Sequence, residues 1–223
     1  MYTHVIFDLD GTLLNTIQDL ARAGNHVCAL HGWPEHPVET YKTMVGNGAA
    51  KLVERFAPAG TSQEVLAQAL KEFSLWYDQH KEDTTAPYDG MPQLIARLNR
   101  AGVRTAVLSN KPDFMAGPVV ERYYPGLFPV VQGAVDGLPI KPDPALALRL
   151  MERMSARRET TLFVGDSDVD MATARAAGLE GCGVLWGFRT RQELEQAGAA
   201  WLAETPGELE QLILGERTKE GTV

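Results

Sequence analysis

The stretch His4-Val5-Ile6-Phe7-Asp8-Leu9-Asp10-Gly11-Thr12 constrains this chain more than any other. An apolar run of β-branched and aromatic residues ending in two carboxylates and Gly-Thr reads as a buried parallel strand. Such a strand delivers Asp8 and Asp10 to a crevice at its carboxyl end. A spacing of two puts both acids on one face if the strand continues, although the backbone can bend there. Gly11 lets the backbone approach a ligand closely, and the Thr12 hydroxyl can fix the turn. Two acids this close repel, so they differ in charge behaviour unless a cation intervenes. That is the pattern of a metal-assisted nucleophile and acid pair.

The texture changes from Thr16 to about Asp83. Ile17, Leu20, Ala21, Gly24, Val27, Cys28 and Leu30 recur at helical spacing, and His31-Gly32-Trp33-Pro34 supplies a stop. Leu66, Ala69, Leu70, Phe73, Trp76 and Tyr77 repeat the pattern. Between them the glycine-rich bend Met44–Ala50 leads into a helix through Leu52, Val53 and Phe56. Residues 16–83 are therefore expected to be an all-helical insertion with Trp33 and Trp76 in its core. Residues 1–15 and 84–223 are expected to form the remainder.

Beyond Gly90 helix and strand alternate, the pattern of an α/β fold with a doubly wound, Rossmann-like parallel sheet. The expected strands are Val103–Leu108, Val130–Ala134 and Thr161–Val164, with a further short strand near the end. Glu216–Val223 reads as a frayed polar tail.

In such a sheet the strand ends share one edge, so loops distant in sequence can meet there. Ser109-Asn110 follows an apolar strand and offers a hydroxyl and backbone amides to phosphoryl oxygens. Lys141, in a Lys-Pro-Asp-Pro loop stiffened by its prolines, can neutralise phosphate charge and restrain a nucleophilic carboxylate. Gly165-Asp166-Ser167-Asp168-Val169-Asp170 crowds three acids at the end of an apolar strand, and hard divalent cations want oxygen ligands. Asp166 is the better direct ligand by position. Asp170 either binds a metal through water or holds Lys141, and Asp168 fits a helix-start acid favoured by the dipole.

A chain of 223 residues suffices for one core plus a modest insertion. The formal net charge of −8 disfavours nucleic acid and anionic membranes as partners, so an anionic substrate needs a local positive site. Cys28 and Cys182 are the only cysteines, which fits a reducing compartment rather than a disulfide framework. With no signal pattern and no long apolar run, a cytoplasmic location is the expectation. The five histidines, His4, His26, His31, His36 and His80, show no ligand spacing. Lys111 and Arg189 could approach anions, although solvated surface is the stronger reading for both, and Trp186-Gly187-Phe188 reads as packing or a loop near the site.

Taken together, Asp8-Leu9-Asp10-Gly11-Thr12, Ser109-Asn110, Lys141-Pro142 and Gly165–Asp170 resemble the haloacid dehalogenase superfamily of phosphotransferases. The helical insertion just after the first motif resembles the subgroup of phosphoglycolate phosphatases and β-phosphoglucomutases. Val45-Gly46-Asn47-Gly48-Ala49 followed by Leu52-Val53-Glu54-Arg55 is similar to bacterial phosphoglycolate phosphatases. Asn15 departs from the acid often found just past the first motif, which bears on the hinge and substrate contacts.

The resemblance implies that Asp8 attacks phosphorus to form an aspartyl-phosphate, with Asp10 as acid and then base. It implies Mg²⁺ held by Asp8, Asp166 and the Asp10 backbone carbonyl, and phosphoryl oxygens held by Ser109, Asn110 and Lys141, with Thr12 beside them. Asp170 stands behind these. The helical cap excludes water, with Gly46, Asn47 and Gly48 as its contact loop. The implied partner is a small phosphorylated metabolite, 2-phosphoglycolate first, for a monomer or homodimer. A pyrophosphatase, a broad sugar-phosphate phosphatase, a phosphomutase and a non-catalytic phosphate-binding module remain as alternatives. A dehalogenase has no need of Asp10, and a phosphonate hydrolase would require a cap lysine, for which Lys51 is the candidate.

Overall fold

The computed structural model describes residues 1–215; the expected tail Glu216–Val223 lies outside the described residues. Its frame is a parallel sheet of six strands. In chain order these are β1 (His4–Phe7), β4 (Arg104–Pro112), β5 (Val130–Ala134), β6 (Thr161–Gly165), β7 (Glu180–Val184) and β8 (Trp201–Ala203), where β2 (Leu14–Asn15) and β3 (Ala86–Pro87) are two short strands outside the sheet. The order across the sheet is β5-β4-β1-β6-β7-β8, which puts β1 near the centre and reverses direction of growth on either side of it.

Strand β1 shows why the apolar run is continuous. Val5 and Phe7 pack into a core with α5 (Met91–Arg100), α6 (Asp113–Tyr123) and the helix Pro206–Leu214. Ile6 points to the other face and joins α7 (Ala145–Met154) and α8 (Asp168–Ala177). A strand covered on both faces has no polar side to alternate with. The strand expected to stop at Leu108 instead continues to Pro112, with its pairing to β5 interrupted between Leu108 and Pro112. Ser109, Asn110 and Lys111 are thus part of a buried, irregular strand end rather than of a turn after it.

Four helices lie between β2 and β3: α1 (Ile17–His31), α2 (Val38–Met44), α3 (Ala49–Phe56) and α4 (Gln63–His80). They bury Val27, Tyr41, Leu52, Phe56 and Phe73 against one another, and Met115 of α6 joins this cluster from the sheet side. Trp33 and Trp76 pack against it half-buried, while Leu30 is exposed. Helix α1 ends where the sequence indicates, on Gly32 at φ 65°. The two crossings between cap and sheet pair as β2 with β3, antiparallel. Beside them Asp19, buried in the first turn of α1, accepts from the backbone amides and hydroxyls of both Thr84 and Thr85. Burial works against the Asp19 carboxylate, but these donors outweigh it and lower its pKa.

Candidate active site

The carboxyl ends of β1 and β4, the Lys141 loop and α4 of the cap converge on one cavity, lined by Asp8, Asp10, Ser109, Asn110, Lys111 and Lys141, while Asp166 at the end of β6 lies against Asp8 outside that lining. Its far wall is apolar and comes from Leu20, Leu52, Phe73 and Met115.

Lys141 is the centre of its charge pattern. Its ammonium lies 2.7 Å from Asp8 Oδ1 and 2.7 Å from Asp170 Oδ1. Burial opposes the charged ammonium, yet Asp170 and Asp8 raise its pKa above the ordinary lysine value. The other Asp170 oxygen closes a capping box, accepting from the Ser167 amide and hydroxyl. One carboxylate therefore both starts α8 and anchors the lysine. Of the two roles expected of Asp170, contact with Lys141 is seen, and its carboxylate also belongs to the group of acids that could hold a metal.

Asp166 is built from behind. Thr12 donates to its Oδ1 at 3.1 Å and the Phe188 amide to its Oδ2 at 2.8 Å. Gly11, at φ 89°, and Gly187 lie so close that a Cβ on either would fall 2.2 Å from Asp166 side-chain atoms. Trp186 fixes this loop by donating to the Thr12 carbonyl at 3.0 Å. Thr12 is fully buried and is not among the residues lining the cavity; its hydroxyl is committed to Asp166 rather than to the space where a phosphoryl group would sit.

Asn110 joins three segments. Its side-chain amide donates to the carbonyls of Gly46 and Lys141, and its oxygen accepts from the Lys141 amide. Gly46 and Gly48 line the cavity. The Asn47 side chain instead accepts from Arg55 on the cap, and Asn47 is not among the lining residues. Lys51 pairs with Glu54 at the surface and leaves a phosphonate hydrolase without its candidate amine.

Two residues read as solvated surface prove otherwise. Lys111 is buried, 3.1 Å from Asp10 Oδ1 and hydrogen-bonded at 2.7 Å to the Tyr77 hydroxyl of α4. Arg189 is buried as well and donates to the carbonyls of Lys42 and Val45 at the end of α2, so a sheet-side guanidinium caps a cap helix. An isolated Lys or Arg carries no periodic signal; its partners are supplied only by the tertiary fold. The apolar Tyr77 stripe was the visible half of the Lys111 contact.

Asp8, Asp166 and Asp170 offer carboxylate oxygens that lie within 4.8 Å of one another. Burial pushes Asp8 well above the usual carboxylate range, the charge of Asp170 adds to this, and Lys141 pulls against both. Burial and then Asp170 raise Asp166 to about 7, against the Phe188 amide, Arg189 and Thr12. Three buried acids around a single ammonium carry excess negative charge, and their all-oxygen donor set fits a hard divalent cation.

A pH dependence follows. Because the folded Asp166 pKa lies above its ordinary value, its protonation favours the folded state. This contribution is full below about pH 4 and is lost as pH rises through about 7. In chelator, the Asp166 contribution to thermal stability is therefore expected to decline as pH rises from about 4 to about 7. A divalent cation should restore stability most at the upper end, where the site is ionised. Melting curves with and without Mg²⁺ check this, and a cation effect that grows toward low pH would contradict it.

A sequence profile of the family described as haloacid dehalogenase-like hydrolase matches residues 5–184. A protein named phosphoglycolate phosphatase from Pseudomonas putida is 36% identical over 190 residues, spanning 82% of this chain and 70% of its own. Another of that name, from Mannheimia succiniciproducens, is 30% identical over 215 residues, or 93% of this chain and 96% of its own. A solved structure from Lactobacillus delbrueckii subsp. bulgaricus, provisionally described as a phosphoglycolate phosphatase, superimposes with a TM-score of 0.91. It is 30% identical, with 96% of this chain and 99% of the other covered.

Proposed function

The chain belongs to the haloacid dehalogenase-like hydrolases, and on that basis we propose that it is a Mg²⁺-dependent phosphomonoesterase that hydrolyses 2-phosphoglycolate through an aspartyl-phosphate. The observation that carries this reading is the meeting of Asp8, Asp10 and Lys141 in one cavity with an apolar wall opposite. The likeness to proteins named for this substrate supports its choice.

Asp8 is the nucleophile. Lys141 orients its carboxylate, and Asp170 fixes Lys141 in turn. As Asp8 Oδ attacks phosphorus, charge redistributes over the phosphoryl oxygens, where the ammonium of Lys141 and the donors of the Ser109-Asn110 segment compensate it. Asp10 gives its proton to the departing alkoxide oxygen, then takes one from the water that attacks the aspartyl-phosphate. Glycolate and inorganic phosphate leave, and Asp8 is regenerated. Mg²⁺ would be held by Asp8, Asp166 and the Asp10 carbonyl, and would supply neutralisation of the phosphate charge brought among these acids. The cap helices, tied to the sheet side by Asn110–Gly46 and Arg189, keep bulk water from the intermediate.

The test is kcat/KM for phosphate release from 2-phosphoglycolate, pyrophosphate and several sugar phosphates, with Mg²⁺ and with chelator. A Mg²⁺-dependent preference for 2-phosphoglycolate is expected. Even, slow turnover of all the esters would remove the named substrate, and turnover surviving chelation would remove the metal.

A further inference from the structure

The nucleophile half of the cavity is saturated with charge, but the leaving-group half is not. Beyond Asp10 the walls are largely apolar, with the Ser74 hydroxyl donated to the Leu70 carbonyl, and among the described residues lining the cavity the basic side chains are Lys141 and Lys111. Lys141 is held between Asp8 and Asp170. Lys111 faces the other way. Its side chain is 3% exposed, and its ammonium sits 3.1 Å from Asp10 Oδ1. It donates to Tyr77 Oη at 2.7 Å and lies 4.6 Å from the centre of that ring.

An ammonium has three donors. One is placed on Tyr77, and Asp10 Oδ1 lies 3.1 Å away in an ion pair without hydrogen-bond geometry. A donor is left over on a group that borders a largely apolar space. A buried cation with a spare donor is a receptor for an anion.

We propose that Lys111, steadied by Tyr77, binds the carboxylate of the leaving group and makes the site selective for phosphate esters of short 2-hydroxy carboxylates. The inference rests on the phosphomonoesterase reading and adds the residue that would select the substrate. In such an ester the carboxylate carbon is two bonds from the bridging oxygen. Asp10 must reach that oxygen to protonate it, so a cation already touching Asp10 is within reach of the carboxylate at the same moment. A sugar phosphate presents hydroxyls to Leu20, Phe73 and Met115, which offer them no partners. Tyr77 belongs to α4, so the selecting pair is assembled from the sheet side and the cap together.

Ethyl phosphate, which lacks only the carboxylate function, is the control ester. With Mg²⁺ present, Lys111→Met is expected to lower the ratio of kcat/KM for 2-phosphoglycolate over ethyl phosphate by roughly 10–100-fold, the size of a charge-assisted hydrogen bond. Tyr77→Phe should shift the ratio the same way by less. Equal losses on both esters would overturn the proposal and leave Lys111 as a partner of Asp10 alone. Calorimetric binding to Asp8→Asn, with and without Lys111→Met, reads the same preference without turnover. A preference for 2-phosphoglycolate over ethyl phosphate that persists in the double variant would overturn the proposal. Wild-type protein that hydrolyses neither ester, while Asp8→Asn still shows a Lys111-dependent preference, would overturn the phosphomonoesterase reading instead.

Discussion

Asp8→Asn is expected to reduce kcat for phosphate release by roughly four orders of magnitude or more, because the amide nitrogen and oxygen cannot form the covalent phosphoryl bond. The shape of the side chain is kept, so the loss is chemical rather than architectural. The stability response separates the two. Asp8 is a buried carboxylate that burial and Asp170 hold well above the usual range, opposed by Lys141. Removing its charge leaves Lys141 paired with Asp170 at 2.7 Å. Relief of repulsion and loss of the ion pair thus oppose each other, and the metal-free variant should melt at or above the wild-type temperature. Stabilisation by Mg²⁺ should shrink, since one donor of the acidic cluster is weakened. Measurable activity in this variant would require a different nucleophile.

Lys141→Met should damage activity and stability together. The side chain is 2% exposed and bonds Asp8 and Asp170 at once, so its removal leaves two buried carboxylates facing each other with Asp166 nearby. Breaking a buried pair from one side costs about 3–5 kcal/mol. In a chain of this size that corresponds to a fall in Tm of roughly 5–20 °C in chelator. Part of the fall should return on adding Mg²⁺, which supplies positive charge among the same acids. Activity should stay at least ~100-fold below wild type even at saturating Mg²⁺, because the ammonium also compensates phosphoryl charge. Asp8→Asn and Lys141→Met therefore move stability in different directions while both remove turnover. A Lys141→Met protein as stable as wild type in chelator would contradict the charge balance described for the site.

The central geometry was legible because strand order does the gathering. Asp8, Ser109 and Asp166 each end an apolar run, and β1, β4 and β6 are neighbours in the sheet, so three segments far apart in sequence meet along one edge, Ser109 with Asp8 in the cavity and Asp166 with Asp8 in the acidic cluster. The acids of Gly165–Asp170 could be ranked by position, but sequence left Asp170 open between a metal and Lys141. Its capping box and the lysine contact belong to side-chain geometry that a sequence does not display.

What was not legible depends on contacts without a local signature. Helix α2 spans only Val38–Met44 and buries just Tyr41 and Met44, too few apolar positions to set up a period. Lys111 and Arg189 look like any surface cations until Tyr77 and the α2 carbonyls are brought against them. The Trp186–Phe188 loop is distant in sequence from Thr12 and Asp166, so its support of both could be read only from the fold. The strand end at Ser109–Pro112 was misplaced because its polar residues suggest a turn, whereas here they are buried facing the cavity.

The central claim is that this strand end carries out covalent phosphoryl transfer, and trapping the intermediate tests it most directly. Asp10→Asn should still accept a phosphoryl group from an ester whose leaving group needs no proton, such as p-nitrophenyl phosphate, but lacks the base for the hydrolytic half-reaction. The measurement is the mass of the acid-quenched variant and of its N-terminal peptide after mixing with this ester and Mg²⁺. One added phosphoryl group on the peptide, assigned to Asp8 and absent from the Asp8→Asn/Asp10→Asn double variant, is the predicted result. Release of p-nitrophenol by Asp10→Asn at an undiminished steady rate with no phosphorylated peptide, or a phosphoryl group that survives Asp8→Asn, would contradict it.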